Sequence, residues 1–275
     1  MAISLKYTGI LLIAAIVLLL ASTASGQVYS SKDLKVSELA EKVWVIETTD
    51  MTTMYLIEGS EKALLIDTGT RCDSLDKVIS KITSRPVDVV LTHAHGDHDG
   101  NIGYFSAVWM HPADTVLLQK GYSGKIQFVG DGDIFDLGGK KIKVCHTPAH
   151  TPGSIVLVDQ DSRSCFTGDA FGSGLVWLQL RPLAPMQTYI QSCEALLKVM
   201  DNGVDSIWCG HYPYLKKALD RDYIVRMKDL AGLIAEGKAA DTKPYDIVIP
   251  AGCPNPMVAT DGVVSIFYDP SNIKK

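Results

Sequence analysis

Residues 93–99 read His-Ala-His-Gly-Asp-His-Asp, three imidazoles and two carboxylates in seven consecutive positions. Imidazole and carboxylate are the ligand types that suit zinc and other first-row divalent metals. His93 and His95 are two apart, so on an extended chain they point the same way. Gly96 then permits a sharp turn, which lets Asp97 and His98 face a point close to the first pair. One short segment can therefore feed two neighbouring metals. The competing reading is a polar surface loop, but such loops seldom spend three of a chain's seven histidines in six positions.

Three more potential ligand clusters follow apolar runs. The run ending in Cys145 leads to His146 and His150, Thr167 leads to Asp169, and Cys209 leads to His211. Sites at the carboxyl ends of strands are common in α/β proteins. A lone histidine after a strand is more often a satisfied structural residue. The case rests on four such ends in one chain, the first of them dense. Spacing alone does not choose between His146 and His150.

The elements that must position these residues are strands first, then strands and helices interleaved. After a linker, the spans 42–48, 54–58 and 63–67 alternate as an antiparallel meander. The spacing predicts a helix over 75–82, capped by Asp73 or Ser74, and a buried strand over 87–91. Further strands are expected at 107–110, 134–137, 142–145, 155–159, 164–167, 206–209, 246–250 and 263–268. Helical spans are expected at 98–105, 112–119, 186–200 and 215–236, the last broken near its middle. Residues 121–133 read as a surface loop, and 172–185 as irregular and apolar. This order gives a mixed α/β chain whose sheet faces are covered by helices.

Length and composition agree: 275 residues, 47% hydrophobic and 21% charged, suit one large or two small domains. The N-terminus stands apart. Lys6 precedes a wholly apolar run of twelve, Ile10 to Ala21, which leads into the small residues Ser22 to Gly26. A spanning helix needs about twenty such residues. The pattern predicts a secretory signal over 1–26 with a mature domain over 27–275, secreted or periplasmic and without stable membrane insertion after cleavage. The alternative is an uncleaved anchor. Removing Lys6 leaves 25 basic against 31 acidic residues, and a net charge near −6 argues against a nucleic-acid partner. The six cysteines contain no Cys-x-x-Cys pair. Cys145 and Cys165 border neighbouring apolar runs, which admits a cross-strand pair; free buried thiols are the other reading.

With these motifs in hand, the chain resembles the metallo-β-lactamase fold superfamily, whose hydrolytic members include glyoxalase II. His93-Ala-His95-Gly-Asp97-His98 matches the superfamily's His-x-His-x-Asp-His motif in full. His146-Thr-Pro-Ala-His150, Phe166-Thr-Gly-Asp169 and Gly210-His211 resemble its later motifs, over roughly residues 40–212. The resemblance implies a four-layer αββα sandwich of two mixed β-sheets with helices on the outer faces. It picks His150 over His146. It implies that His93, His95 and His150 hold a first metal, that Asp97, His98 and His211 hold a second, and that Asp169 bridges both. His111 and His146 are left as structural or surface residues.

The implied cofactors are two divalent metal ions, Zn²⁺ before Fe or Mn. Bound water is acidified from about 15.7 toward about 7 by such a metal. The implied reaction is attack of a metal-bridging hydroxide on an ester, thioester, lactone or lactam carbonyl of a small-molecule substrate. Asp169 acts as the bridge and Asp97 has a secondary role in proton handling. Typical metallo-β-lactamases lack the bridging aspartate, so lactam hydrolysis is the lesser alternative. An iron oxidoreductase like the persulfide dioxygenases is another. Glyoxalase II's long C-terminal helical domain is not apparent in the tail. The turn 50–53 and the stretch 171–180 with Trp177 are expected to line the pocket, with Tyr212 or Tyr214 as oxyanion donors.

Overall fold

The computed structural model describes residues 27–148, 150–178, 181–246 and 253–274. The expected signal segment 1–26 and most of the expected strand 246–250 lie outside the described residues. In chain order the first half supplies β1 (Gln27–Ser30), β2 (Leu34–Ala40), β3 (Val43–Thr48), β4 (Thr53–Glu58), β5 (Ala63–Ile66), α1 (Leu75–Ile82), β6 (Val87–Val90), β7 (Ala107–Met110) and β8 (Lys125–Phe128). The second half supplies β9 (Ile134–Asp136), β10 (Lys141–His146), β11 (Ile155–Asp159), β12 (Ser164–Phe166), β13 (Val176–Trp177), α2 (Met186–Asp201), β14 (Ser206–Trp208), α3 (Tyr212–Leu215), α4 (Arg221–Ala235), β15 (Thr242–Pro244), β16 (Met257–Thr260) and β17 (Ser265–Tyr268).

The strands β1 to β8 form one mixed sheet in sequence order, antiparallel up to β5 and parallel from there. A second sheet has the order β14-β12-β11-β10-β9, with β14 parallel to β12. Alternation decides what each face covers. Val45, Tyr55, Ile57 and Ile66 of the first sheet meet Ile142, Val144, Leu157 and Phe166 of the second in the central core. The opposite face of the first sheet packs Ile46, Leu56 and Leu65 against Leu75, Val78 and Ile79 of α1. The opposite face of the second packs Val156, Val158, Cys165 and Ile207 against α2 and α4. Helix, sheet, sheet and helix therefore make the four-layer αββα sandwich. A third, smaller sheet, β13-β17-β16-β15, stands beside α4.

The structure departs from the sequence expectations where polar contacts override periodicity. The expected linker is the strand pair β1–β2; its alternation is masked by register shifts at Gln27/Tyr29 and Glu38/Ala40. The expected helix 112–119 shrinks to a 3₁₀ turn, Pro112–Asp114, because the Asp114 carboxylate is buried and holds two other loops. The helical span 98–105 likewise reduces to a 3₁₀ turn, Ile102–Tyr104. The expected loop 121–133 contains β8, an edge strand too exposed to carry an apolar pattern. The irregular stretch 172–185 contains β13, and β15 and β16 are additional strands. The 215–236 span does not break near its middle: α4 is continuous from Arg221 to Ala235, and the interruption lies at the start, where Lys216 turns left-handed (φ 51°), Leu219 bridges to Ile207, and the Asp220 carboxylate caps α4 by accepting from Tyr223 N–H. Cys145 pairs with Val156 and Cys165 with Val158, so β11 separates them, and all six cysteines are free.

Candidate metal centre

The two stacked sheets present their strand ends along one edge of the sandwich. The loop after β6 brings His93, His95, Asp97 and His98, while the loops after β10, β12 and β14 bring His150, Asp169 and His211. The seven side chains gather in two groups, His93/His95/His150 and Asp97/His98/Asp169/His211. Within each group the potential ligand atoms lie within 4.8 Å of one another. Each group draws on both sheets.

The imidazoles are turned by the partners of their outer nitrogens. His150 Nδ1 lies 2.6 Å from the Trp177 carbonyl, His211 Nδ1 lies 3.1 Å from the Met51 carbonyl, and His98 Nδ1 lies 2.9 Å from Asp67 Oδ2. Each acceptor requires an N–H at Nδ1, which leaves Nε2 to face the centre. His150 Nε2 then stands 2.8 Å from His95 Nδ1. His211 Nε2 stands 3.2 Å from Asp169 Oδ2 and 3.5 Å from Asp97 Oδ2. Asp169 sits between the groups: Oδ1 is 3.4 Å from His98 Nε2, and Oδ2 is 3.9 Å from His150 Nε2. His93 Nε2 and His98 Nε2 are buried nitrogens without a hydrogen-bond partner among the described residues. Orphaned nitrogens and facing lone pairs in a buried nitrogen–oxygen donor set fit divalent metal ions.

Charge follows burial and neighbours. Burial, with adjacent imidazoles, pushes His93 well below the ordinary histidine range and His95 down to about 3. Both are therefore neutral, as a metal ligand must be. In the second group burial is outweighed by ion pairing. Asp169 lifts His211 to about 10, and Asp169 with Asp67 lifts His98 well above its usual value. Burial would raise Asp97, but His211 and His98 hold it at about 2; the same two histidines hold Asp169 well below the usual carboxylate range.

Two carboxylates absent from the sequence-derived set position the cluster. Asp67, at positive φ (61°), accepts from Thr92 N–H (2.7 Å), Thr92 Oγ1–H (2.8 Å) and His98. Asp114, fully buried, accepts from Ala94 N–H (3.2 Å), Thr151 Oγ1–H (2.7 Å) and Gly153 N–H (2.6 Å), tying the His93/His95 loop to the His150 loop. Asp67 ends an apolar run and was readable as a ligand-like position; Asp114 lies in a stretch whose pattern suggested helix. Close approach explains Gly210: a Cβ there would press on Asp169 Oδ1 and lie 2.6 Å from His98 Cε1. His146 lies outside both groups, stacked on His111 with centroids 3.9 Å apart and bonded to the Pro152 carbonyl.

A cleft of about 580 Å³ opens over the cluster, lined by His95, Asp97, His150, Asp169 and His211 on its floor. Ser173, Leu175 and Trp177 form one wall, as expected for part of 171–180, but Phe171 is buried in the core under α2. The turn 50–53 does not line it: Asp50 accepts from the hydroxyls of Thr48 and Thr70, and Met51 serves His211 through its carbonyl. Tyr214 lines the cleft; Tyr212 packs on Trp208 instead. Tyr245 also lines it, and no apolar pattern around it marked it in the sequence.

A metallo-beta-lactamase superfamily model matches residues 48–211. The chain is 28% identical over 211 residues to an acyl-coenzyme A thioesterase, MBLAC2, of Homo sapiens, covering 60% of this chain and 75% of that protein. It is 32% identical over 133 residues to an atrochrysone carboxyl ACP thioesterase of Aspergillus novofumigatus, covering 46% of this chain and 41% of that protein. Among solved structures, a metallo-beta-lactamase from Pontibacter korlensis superposes with a TM-score of 0.60 at 19% identity, over 72% of this chain and 99% of that one.

Proposed function

The chain belongs to the metallo-beta-lactamase superfamily, and from that premise we propose that it is an exported dinuclear zinc hydrolase of ester and thioester bonds in small molecules. It is a metal-dependent hydrolase; the bond class, nuclearity, metal and export are the proposal. The observation that carries it is the placement of Asp169 between two donor groups under an open cleft. Relatives named as thioesterases support the bond class. The nitrogen–oxygen donor set supports zinc. Export rests on the sequence of residues 1–26 alone; an intact N-terminus on protein recovered from the cell would refute cleavage.

His93, His95 and His150 would hold one cation, Asp97, His98 and His211 the other, with Asp169 shared. When bound, such a pair supplies Lewis-acid polarisation of the carbonyl and acidification of a water. The chain's own contribution is orientation and proton handling. Trp177, Met51 and Asp67 fix three imidazoles through Nδ1. Asp97 opens onto the cleft and would take a secondary role in passing the proton of the attacking water to the departing oxygen or sulfur. The water oxygen bonds to the acyl carbon as the carbon–oxygen or carbon–sulfur bond breaks, giving an acid and an alcohol or thiol. Tyr214 stands at the rim as a hydroxyl donor toward the oxyanion.

The test is a panel of chromogenic esters, acyl thioesters, lactones and a lactam on metal-quantified protein, beside Asp169→Ala. The expected result is ester and thioester turnover that collapses in the variant together with metal content. Unchanged metal content in Asp169→Ala, or no turnover with two zinc ions bound, overturns it. Iron with a redox signature would move the reading to an oxidoreductase.

A further inference from the structure

One wall of the cleft joins a strand inside the stretch that the superfamily model matches to a part of the chain beyond it. β13 pairs parallel to β17, with Val176 opposite Ile266 and Trp177 opposite Phe267. Alternation then divides the third sheet. Val176, Ile266 and Tyr268 turn toward the helices, while Trp177, Phe267 and Val258 turn the other way with Tyr245, Leu175 and Cys253 into a small separate core. The Trp177 ring stacks on Phe267, centroids 4.8 Å apart at 23°, and Tyr245 meets Trp177 edge-on at 5.9 Å. Phe267 is fully buried beneath them, so the two outer rings rest on a fixed base. Leu175, Trp177 and Tyr245 are also cleft residues.

This wall is fastened to the metal centre. The Trp177 carbonyl that orients His150 belongs to the residue whose ring forms the wall, and Leu178 N–H donates to the Phe267 carbonyl at 2.9 Å. Anything whose carbonyl lies over the cluster thus lies within one residue's reach of the rings. No lysine or arginine lines the cleft among the described residues. A carboxylate or phosphate at the far end of the acyl group, against the rings and away from the metal ligands, would meet no lysine or arginine among the described residues, and its desolvation there would go uncompensated. An apolar chain would lose only its contact with water.

We propose that Trp177, Tyr245 and Leu175 form an acyl-binding wall, and that the substrate carries an uncharged apolar acyl group of several carbons or an aromatic ring rather than an acetyl or a dicarboxylic acyl group. This rests on the ester and thioester reading above for its catalytic arm, but its binding arm does not. The aromatic surface that Trp177 and Tyr245 show to the cleft is the recognition element, and methylenes buried against it are the source of selectivity.

The experiment has two arms on the zinc-loaded protein. In the first, kcat/KM is measured for the p-nitrophenyl acetate, butyrate, hexanoate and hemisuccinate esters. The expected hexanoate-to-acetate ratio is about tenfold or more, with the hemisuccinate below butyrate. Tyr245→Ala should lower that ratio about tenfold, and Tyr245→Phe should retain it. In the second, binding of hexanoate and acetate is compared by calorimetry, and hexanoate should bind about tenfold tighter in the wild type and not in Tyr245→Ala. A ratio near one in the wild type, a hemisuccinate preference, or an undiminished ratio in folded Tyr245→Ala overturns the wall while leaving the hydrolase reading intact. Selective hexanoate binding without turnover of any ester or thioester upholds the wall and overturns the reaction instead.

Discussion

At the scale of single residues, the second donor group is a set of mutually neutralising charges. His211 sits at about 10 in the metal-free protein, above its ordinary 6.5. Its pairing therefore stabilises the fold fully below about 6.5 and is lost as the pH rises toward about 10. Asp97, held at about 2 against an ordinary 3.8, contributes above about 3.8 and loses its contribution as the pH falls toward about 2. His95, pushed down to about 3, and His93 disfavour the fold progressively below about 6.5, so the urea midpoint of the metal-free protein should be highest near pH 6.5 and fall on both sides. Zinc must displace the protons on His98 and His211, so calorimetric zinc titration near pH 8 should give an enthalpy that varies with the ionisation enthalpy of the buffer. Buffer-independent enthalpy would count against that protonation. Asp67→Asn keeps the shape but weakens the acceptor behind His98. Zinc affinity should drop about 10- to 100-fold, read by chelator competition.

At the scale of elements, the short loops that follow strands hold the ligands, and side-chain carboxylates bind those loops together. Asp114→Ala strands two backbone N–H groups and one hydroxyl in a buried place. Leaving such donors unmade costs about 1–3 kcal/mol each, so a loss of about 3 kcal/mol or more is expected in denaturant melts of the metal-free variant. A change under about 0.5 kcal/mol would show that water replaces the carboxylate. Gly210→Ala acts differently: the methyl pushes into Asp169 and His98, so metal content should fall well before the far-UV spectrum changes. The sequence located α1, the central strands and α2 to within a residue or two, because their apolar positions follow one period. It missed β8 because that edge strand buries almost nothing, and read 112–119 as helix because a buried carboxylate outside any period diverts the chain there.

At the scale of the whole molecule, each donor group is assembled across the interface between the two large sheets. A bound cation therefore ties the layers together as well as serving the reaction. Removing zinc with a chelator should lower the melting temperature by several degrees and restore it on re-addition, by the linkage of binding to folding. An unchanged Tm would mean that the central core alone holds the layers in register. That core is substantial: Tyr55 packs against Phe166 across it, ring centroids 4.8 Å apart and tilted at 52°, and also donates its hydroxyl to the Cys209 carbonyl, 2.7 Å away, beside the His211 loop. The third sheet pairs β13 with a strand from the far end of the chain, so a cleft wall and the orientation of His150 meet in Trp177.

The sequence by itself narrowed the candidate donors, because His93 to His98 crowd ligand-forming side chains into a turn that few structural roles require, and because three later apolar runs end in further histidines and an aspartate; it left His146 and His150 as alternatives. The layer pattern was also legible, since alternation and helical spacing are local properties. Only the tertiary structure decided which outer nitrogen each histidine uses, that Asp67 and Asp114 brace the cluster, that His146 stacks on His111 instead of joining it, and that Tyr245 faces the cleft. These depend on contacts between residues far apart in the chain, and a one-dimensional pattern fixes what a residue can do without fixing what it will meet.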